Sequence, residues 1–261
     1  MQFNIPDYVE KILEKLEKEG YQAYVVGGSI RDMLLGKNPK DYDITTDAKP
    51  FELEDIFSDF KTISVGKEFG TIIVCQEEGN VEITTFRQEG NYLDGRRPEW
   101  VTFSRKVEDD LSRRDFTINA MAYNKKVGII DPYGGREDLK NRIIRTVGNP
   151  EKRFSEDYLR ILRAIRFATE LKFTIDKPTF YAGRKCSSKI SNVSMERISD
   201  EFFKILLSKK PSNGIRMMEE MGILEVILPE LIPTIGFDQR NPNHNMDVYN
   251  HILCVLDNTP P

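Results

Sequence analysis

The stretch that most constrains this chain runs from Val25 to Thr46, VVGGSIRDMLLGKNPKDYDITT. A strand-like run, Tyr24-Val25-Val26, ends in Gly27-Gly28, and a short amphipathic segment carrying Arg31 and Asp32 follows. After Gly36 and a polar loop, Asp41 and Asp43 stand two apart in an alternating, β-like run. Side chains two apart on a strand share a face, so the two carboxylates point one way while Tyr42 and Ile44 turn the other. Such a pair is costly unless a cation sits between them. Magnesium, a hard ion that takes carboxylate and phosphate oxygens, suits it. The diglycine lies where a strand meets a helix N-terminus, so backbone N–H groups can approach a phosphate there. Arg31, one turn in, adds positive charge. Asp-x-Asp alone also fits a solvated loop, and Gly-Gly alone an ordinary turn. Together, at this spacing, they suit metal-dependent transfer of a nucleotide from a triphosphate.

Around this unit the periodicity alternates between 3.6 and 2. Residues 7–19 place Tyr8, Val9, Ile12, Leu13 and Leu16 at helical spacing, and Gly20 stops the run. Strands are predicted at 21–26, 41–46, 61–65, 70–76 and 80–86, with a helix near 50–58 that opens on Pro50. Glu82 is a third acidic candidate: if its strand lies beside 41–46 it faces the same region, and otherwise it is an exposed glutamate paired with a nearby base. Residues 87–100 read as a mobile polar loop. The pattern is an α+β unit closed by Asp131-Pro132-Tyr133-Gly134-Gly135 and a short strand near Ile143-Ile144. From residue 150 onward strand signals fade, and helices are predicted at 153–171, 176–185, 194–208, 211–221 and 246–257.

The net charge of −4 hides an uneven distribution. Residues 140–189 hold 13 Lys or Arg against 5 Asp or Glu, a basic belt that fits a phosphate backbone or, alternatively, a solvated helical face. The three cysteines, Cys75, Cys186 and Cys254, form no CxxC pair, so neither a disulfide frame nor a zinc site is expected. No apolar run reaches the length of a membrane span, and the N-terminus lacks the apolar core of a signal peptide. A cytoplasmic protein with no membrane partner is expected.

Several separated motifs resemble, in the same order, those of the class II tRNA nucleotidyltransferases (CCA-adding enzymes) and the related bacterial poly(A) polymerases. They are GGSIRDMLLG…DYDITT, DGRRP at 94–98, RRDFTINAMAYN at 113–124, DPYGG at 131–135, VGNPEKRFSEDYLRILRAIRF at 147–167 and SMERISDEF at 194–202. The resemblance covers residues 20 to about 210. It implies a polymerase-β-like nucleotidyltransferase head with a mixed β-sheet over 1–145, followed by an all-helical region. That region would comprise a nucleotide-selecting, RNA-binding neck over 146–210, then a body over 211–261 with the start of an HD-like domain.

The resemblance also implies roles. Asp41 and Asp43 would bind catalytic magnesium, with Glu82 beside them as a catalytic candidate. Gly28, Arg31 and Arg114 would contact the incoming triphosphate. Asp157 and Arg160 would select the base, and Arg163 and Arg166 would extend the positive helix. If one helix carries Asp157 and Arg160 a turn apart, their side chains are neighbours. A carboxylate accepts from the amino group shared by cytosine and adenine, and a guanidinium donates to ring acceptors. Arg96 and Arg97 of DGRRP sit where the family changes from cytidine to adenosine addition. The implied activity is template-independent addition of C, C and A to the tRNA 3′ end from CTP and ATP, with the 3′ end and acceptor arm as partner. The alternatives are a poly(A) polymerase, the A-adding partner of a split CCA system, or an RNA-binding module without catalysis. The run Asn241–His251 is similar to the first helix of an HD domain, so the chain is expected to continue past Pro261. His244 and His251 lie about 10 Å apart by helix rise, too far to share one ion.

Overall fold

Alternation decides which face of each strand is buried, and the computed structural model places the two chemically loaded strands side by side. It describes residues 3–64, 70–90, 99–238, 240 and 246–260. Two compact units divide between Asn141 and Arg142. The first contains, in order, α1 (Asp7–Lys18), β1 (Ala23–Val26), α2 (Gly28–Leu34), β2 (Tyr42–Thr46), α3 (Pro50–Ile56), β3 (Lys61–Ile63), β4 (Thr71–Cys75), β5 (Asn80–Thr85), β6 (Arg87–Glu89), β7 (Val101–Phe103), α4 (Val107–Ser112), β8 (Ala122–Asn124), β9 (Gly128–Ile130) and α5 (Gly135–Asn141). The second contains β10 (Ile143–Ile144), α6 (Pro150–Glu156), α7 (Leu159–Leu171), β11 (Thr174–Ile175), α8 (Lys177–Lys185), α9 (Met195–Leu206), α10 (Pro211–Glu220), α11 (Leu224–Ile227) and α12 (Val248–Asn258).

Seven strands of the first unit form one mixed sheet in the order β3-β4-β5-β2-β1-β8-β9. β2 and β5 run parallel, and the remaining neighbours are antiparallel. α1 covers β1 and β2 with Val9, Ile12, Leu13 and Leu16, the stripe its periodicity predicts. Tyr42 and Ile44 of β2, with Val81 and Ile83 of β5, are buried, while Asp43 and Glu82 stay exposed. This is the polymerase-β-like nucleotidyltransferase head the sequence leads one to expect.

Three short pairings were not legible in the sequence. β6 and β7 form a two-stranded ribbon at the ends of the segment read as a polar loop; Arg96 and Arg97, between them, lie outside the described residues. β8 and β9 extend the sheet from within and beyond the RRDFTINAMAYN motif. β10 pairs in parallel with β11, so Ile143-Ile144 belongs to the second unit and does not close the first. Strands of two or three residues carry too little alternation to register as a period.

The second unit is otherwise helical. α7 is its centre, packed on by α9 and α10 and burying Ile161, Leu162, Ala164, Ile165 and Ala168. A single helix over 153–171 is predicted, but the structure breaks it at Asp157, whose backbone is extended. The Asp157 carboxylate accepts from the Leu159 amide at 3.1 Å, satisfying a donor that opens α7. A short acidic side chain competes with the helix in this way and starts a new one. α12 begins on Asp247, which accepts from the Asn250 amide; His244 lies outside the described residues, and His251 is exposed on α12.

The DPYGG turn has a local cause. Both carboxylate oxygens of Asp131 accept from amides at the start of α5, Gly135 at 2.7 Å and Arg136 at 2.9 Å. A Cβ on Gly135 would stand 2.2 Å from the Thr117 carbonyl oxygen, whereas one on Gly183 of α8 would meet the mobile end of Met221 at 2.3 Å. Backbone cannot yield as a methionine terminus can. Gly135→Ala is expected to destabilise the first unit by about 2–3 kcal/mol and Gly183→Ala to cost the second about 1 kcal/mol, both read by denaturant unfolding.

Candidate active site

Register builds the first half of the site. Asp43 pairs with Glu82 across the parallel β2–β5 ladder and with Val26 across the antiparallel β1–β2 ladder. Val26 is the last residue of β1, so Asp43 stands beside the Gly27-Gly28 turn. Asp41, just before β2, is also exposed and lies on the same side by alternation. Glu82 thus takes the first of its two predicted settings, next to the aspartates.

Asp41, Asp43 and Glu82 make no hydrogen bond or ion pair among the described residues. Although solvent reaches Asp43, desolvation by the surrounding wall raises its pKa; Arg114 opposes the rise and Asp41 adds to it. Glu82 is raised by desolvation and then by Asp43, against the pull of Arg114, Arg87 and Arg113. Among the described residues no group of three or more His, Cys, Asp or Glu could hold an ion by itself. The donor set fits a hard cation that completes its shell with phosphate oxygens and water. An unpartnered, mutually repelling carboxylate set is relieved by such an ion.

Two guanidinium groups meet over the diglycine turn. Gly27 has φ +79° and a Cβ there would lie 3.0 Å from Arg114 Nη1, so glycine is needed for both backbone and space. A Cβ on Gly28 would lie 3.5 Å from Arg31 Nη2. Arg31 donates from Nε to Asp32 at 2.9 Å and from Nη1 to the Asn119 side chain at 2.8 Å. Asn119 in turn donates to the buried Asp115 at 3.1 Å. Arg114 donates from Nη2 to Asp110 at 3.1 Å, and its buried Nε has no hydrogen-bond partner among the described residues. A buried unpaired donor is costly, and Arg114 Nη1 is the atom of that guanidinium that faces the turn. The arrangement joins a cation-seeking carboxylate pair to an anion-seeking pair of arginines.

The second unit arranges its residues differently from the sequence expectation. Asp157 lies in the link between α6 and α7, and its carboxylate binds Arg197 of α9 at 2.7 and 3.3 Å. Arg160, on α7, donates to Glu156 at 2.5 Å and to the Arg153 carbonyl at 2.9 Å. The predicted neighbourly pair on one helix is therefore replaced by two residues with separate partners, because Asp157 is occupied in starting α7. Arg166 binds Glu201 of α9 at 2.5 Å and Glu170 at 3.0 Å, with its guanidinium 4.0 Å from the Phe167 ring centre. Arg163 lies 3.8 Å from the same Glu201. Burial would raise the Glu201 carboxyl, but Arg166 and then Arg163 outweigh it and hold the pKa below the ordinary value. These two arginines knit α7 to α9. The outer charge of the belt in this unit falls to Arg142, Lys152, Lys172, Lys177, Arg184, Lys185 and Lys189, which are exposed.

Sequence reasoning missed Asp110, Asp115 and Asn119. Asp110 had a local signal: it precedes Arg113 and Arg114 by three and four residues on or at the end of one helix, the spacing of helical ion pairs. Asn119 had none, since its partner Arg31 is 88 residues away.

A mixed sheet with carboxylates on adjacent strands beside a strand–diglycine–helix turn defines the nucleotidyltransferase class. Comparison with known proteins narrows this. The family described as "Poly A polymerase head domain" matches residues 23–145, and "Probable RNA and SrmB- binding site of polymerase A" matches 172–234. The chain is 50% identical over 216 residues to the CCA-adding enzyme of Ligilactobacillus salivarius, covering 82% of this chain and 53% of that protein. With the CCA-adding enzyme of Lactobacillus helveticus it shares 47% over 263 residues, covering 97% of this chain and 65% of the relative. The crystal structure of the Bacillus stearothermophilus CCA-adding enzyme in complex with CTP superposes with a TM-score of 0.76 at 41% identity, covering 84% of this chain and 53% of that one. The Thermotoga maritima CCA-adding enzyme complexed with tRNA_CCA gives 0.73 at 28% identity, covering 87% and 54%. The chain belongs to the family of tRNA nucleotidyltransferases and bacterial poly(A) polymerases. It spans between about half and two thirds of the length of these relatives. No helix among the described residues is long and apolar enough to cross a membrane.

The raised pKa values carry a stability consequence with a definite sign. The folded head holds protons on Asp43 and Glu82 more tightly than the unfolded chain does, so their stabilising influence is present at low pH and is lost as pH rises through the folded values. Asp43→Asn is therefore expected to stabilise the metal-free head at neutral pH. The gain should vanish below about pH 4, where the unfolded carboxyl is itself protonated; urea unfolding at pH 3.5 and 7.5 measures it.

Proposed function

We propose that the protein adds C, C and A to the 3′ end of tRNA from CTP and ATP, by magnesium-dependent nucleotidyl transfer with release of pyrophosphate. The observation that carries this reading is the junction of the Asp43–Glu82 carboxylates with Arg31 and Arg114 over the Gly27-Gly28 turn. It offers one site for a cation and one for a triphosphate, side by side. Similarity to proteins named as CCA-adding enzymes, two of them solved with CTP or tRNA_CCA, supports the choice of substrates.

In this reading Asp41 and Asp43 hold magnesium, with Glu82 supporting them. Magnesium, when bound, supplies charge neutralisation to the triphosphate and lowers the pKa of the attacking hydroxyl. Arg31 and Arg114 bind phosphate oxygens, and the glycines let the backbone approach them. These groups fix the α-phosphorus relative to the tRNA 3′ hydroxyl, so that positioning and charge compensation provide most of the rate. The oxygen–phosphorus bond to the tRNA forms as the bond to pyrophosphate breaks. Asp157 and Arg160 choose the base, each steadied by a fixed partner, Arg197 and Glu156 respectively. The second unit, from neck to body, carries the RNA along its exposed lysines. The free thiols of Cys75, Cys186 and Cys254 suit a reducing cytoplasm.

The test uses transcripts ending before C, after C and after CC, with each nucleotide offered singly. CTP should extend the first two and ATP only the third, by one residue. Unlimited A addition would assign a poly(A) polymerase, and A addition without C addition the A-adding partner of a split system. Asp43→Ala should lower incorporation by at least about 10²–10³-fold with the fold intact; retained turnover sinks the magnesium assignment.

A further inference from the structure

Arg114 is the terminus of a buried chain of alternating charges. Arg87 on β6 binds Glu89 at 2.7 Å, and Glu89 binds Arg113 at 3.3 Å. Arg113 then binds one oxygen of Asp110 through Nε at 2.9 Å and Nη2 at 2.7 Å, and the other Asp110 oxygen takes Arg114 Nη2 at 3.1 Å. The Asp110 side chain has no exposed surface and that of Glu89 is 6% exposed. Guanidinium and carboxylate groups alternate along it. Its last member is the arginine over the Gly27 turn.

A long arginine beside a binding turn loses rotamer freedom when it is used, and a partner that fixes it beforehand removes that cost. Asp110 is such a partner. Asp110 is buried, yet Arg113 and then Arg114 outweigh the desolvation and favour its ionised form, and Arg113 is anchored by Glu89. The Arg31 side has a parallel device in Asn119 and Asp115, so both guanidinium groups at the turn are held from behind. We infer that Asp110 and Glu89 are positioning residues that set Arg114 for the nucleotide triphosphate, with the restraint passing from β6 through Arg113. This rests on the role given to Arg114 above.

The experiment is a double-mutant cycle in the intact protein, with KM and kcat measured for CTP and ATP. Arg114→Ala should raise KM for both nucleotides. Asp110→Asn should raise it about tenfold or more, the effect of losing a charge-assisted hydrogen bond, with kcat changed much less. Glu89→Gln, which leaves the Asp110 carboxylate in place, should act in the same direction and more weakly. In the Arg114→Ala background neither substitution should raise KM further, because coupled residues are not additive. Multiplying effects in the double variants would overturn the inference. So would loss of active protein with unchanged KM in Glu89→Gln, the mark of a merely structural role. If Arg114→Ala leaves KM unchanged, the role of Arg114 fails and the inference falls with it; if only the Asp110 and Glu89 variants are silent, the inference alone falls.

Discussion

The parallel ladder between β2 and β5 is the constraint on which the site depends. It sets Asp43 directly opposite Glu82, and the neighbouring antiparallel ladder sets the same aspartate opposite the residue before the diglycine turn. A slip of β2 by one residue would bury Asp43 and expose Tyr42 and Ile44, and a slip of β5 would bury Glu82 and expose Val81 and Ile83. The hydrophobic face therefore locks the register, and the register locks the carboxylates together. Repulsion between them is held in place by the burial of their apolar neighbours on the other face.

Local pattern made part of this legible. Asp41 and Asp43 could be placed on one face because a strand has a period of two, and the diglycine could be placed at a strand end because Val25 and Val26 precede it. How Glu82 is oriented depended on which strands are neighbours, which no local pattern states. The crossover from β2 to β5, with β3 and β4 between them in sequence, is a fact of topology. A buried support such as Asn119 is set by its distant partner Arg31, so its residue type alone carries no signal.

The second unit shows the opposite failure, in which a local signal was read too simply. The spacing of Asp157 and Arg160 fits a helical pair, but aspartate is also a strong helix starter. Its carboxylate takes the Leu159 amide and ends one helix to begin another. Arg163 and Arg166 likewise look like a cationic row, yet the buried Glu201 draws both toward α9. A basic belt in sequence is thus sorted by burial. Arginine, with a planar fork and weak hydration, suits the partly buried pairs; five of the seven exposed cations named above are lysines.

The same sorting explains why the two units hold their charges so differently. In the second unit each partly buried arginine named above meets a carboxylate, and the pairs contribute to helix packing. In the first, among the described residues, Asp41, Asp43 and Glu82 have no partners while Arg114 keeps a buried, unbonded Nε. Opposite charges stand close but are not allowed to neutralise each other, because Asp110 and Asn119 hold the two guanidinium groups from behind. Were those arginines released onto the carboxylates, the head would gain ion pairs and lose both its anion-seeking and cation-seeking surfaces. Keeping the two sets apart costs stability in the empty protein. It leaves a surface whose charges are best satisfied by a phosphate and a cation arriving together.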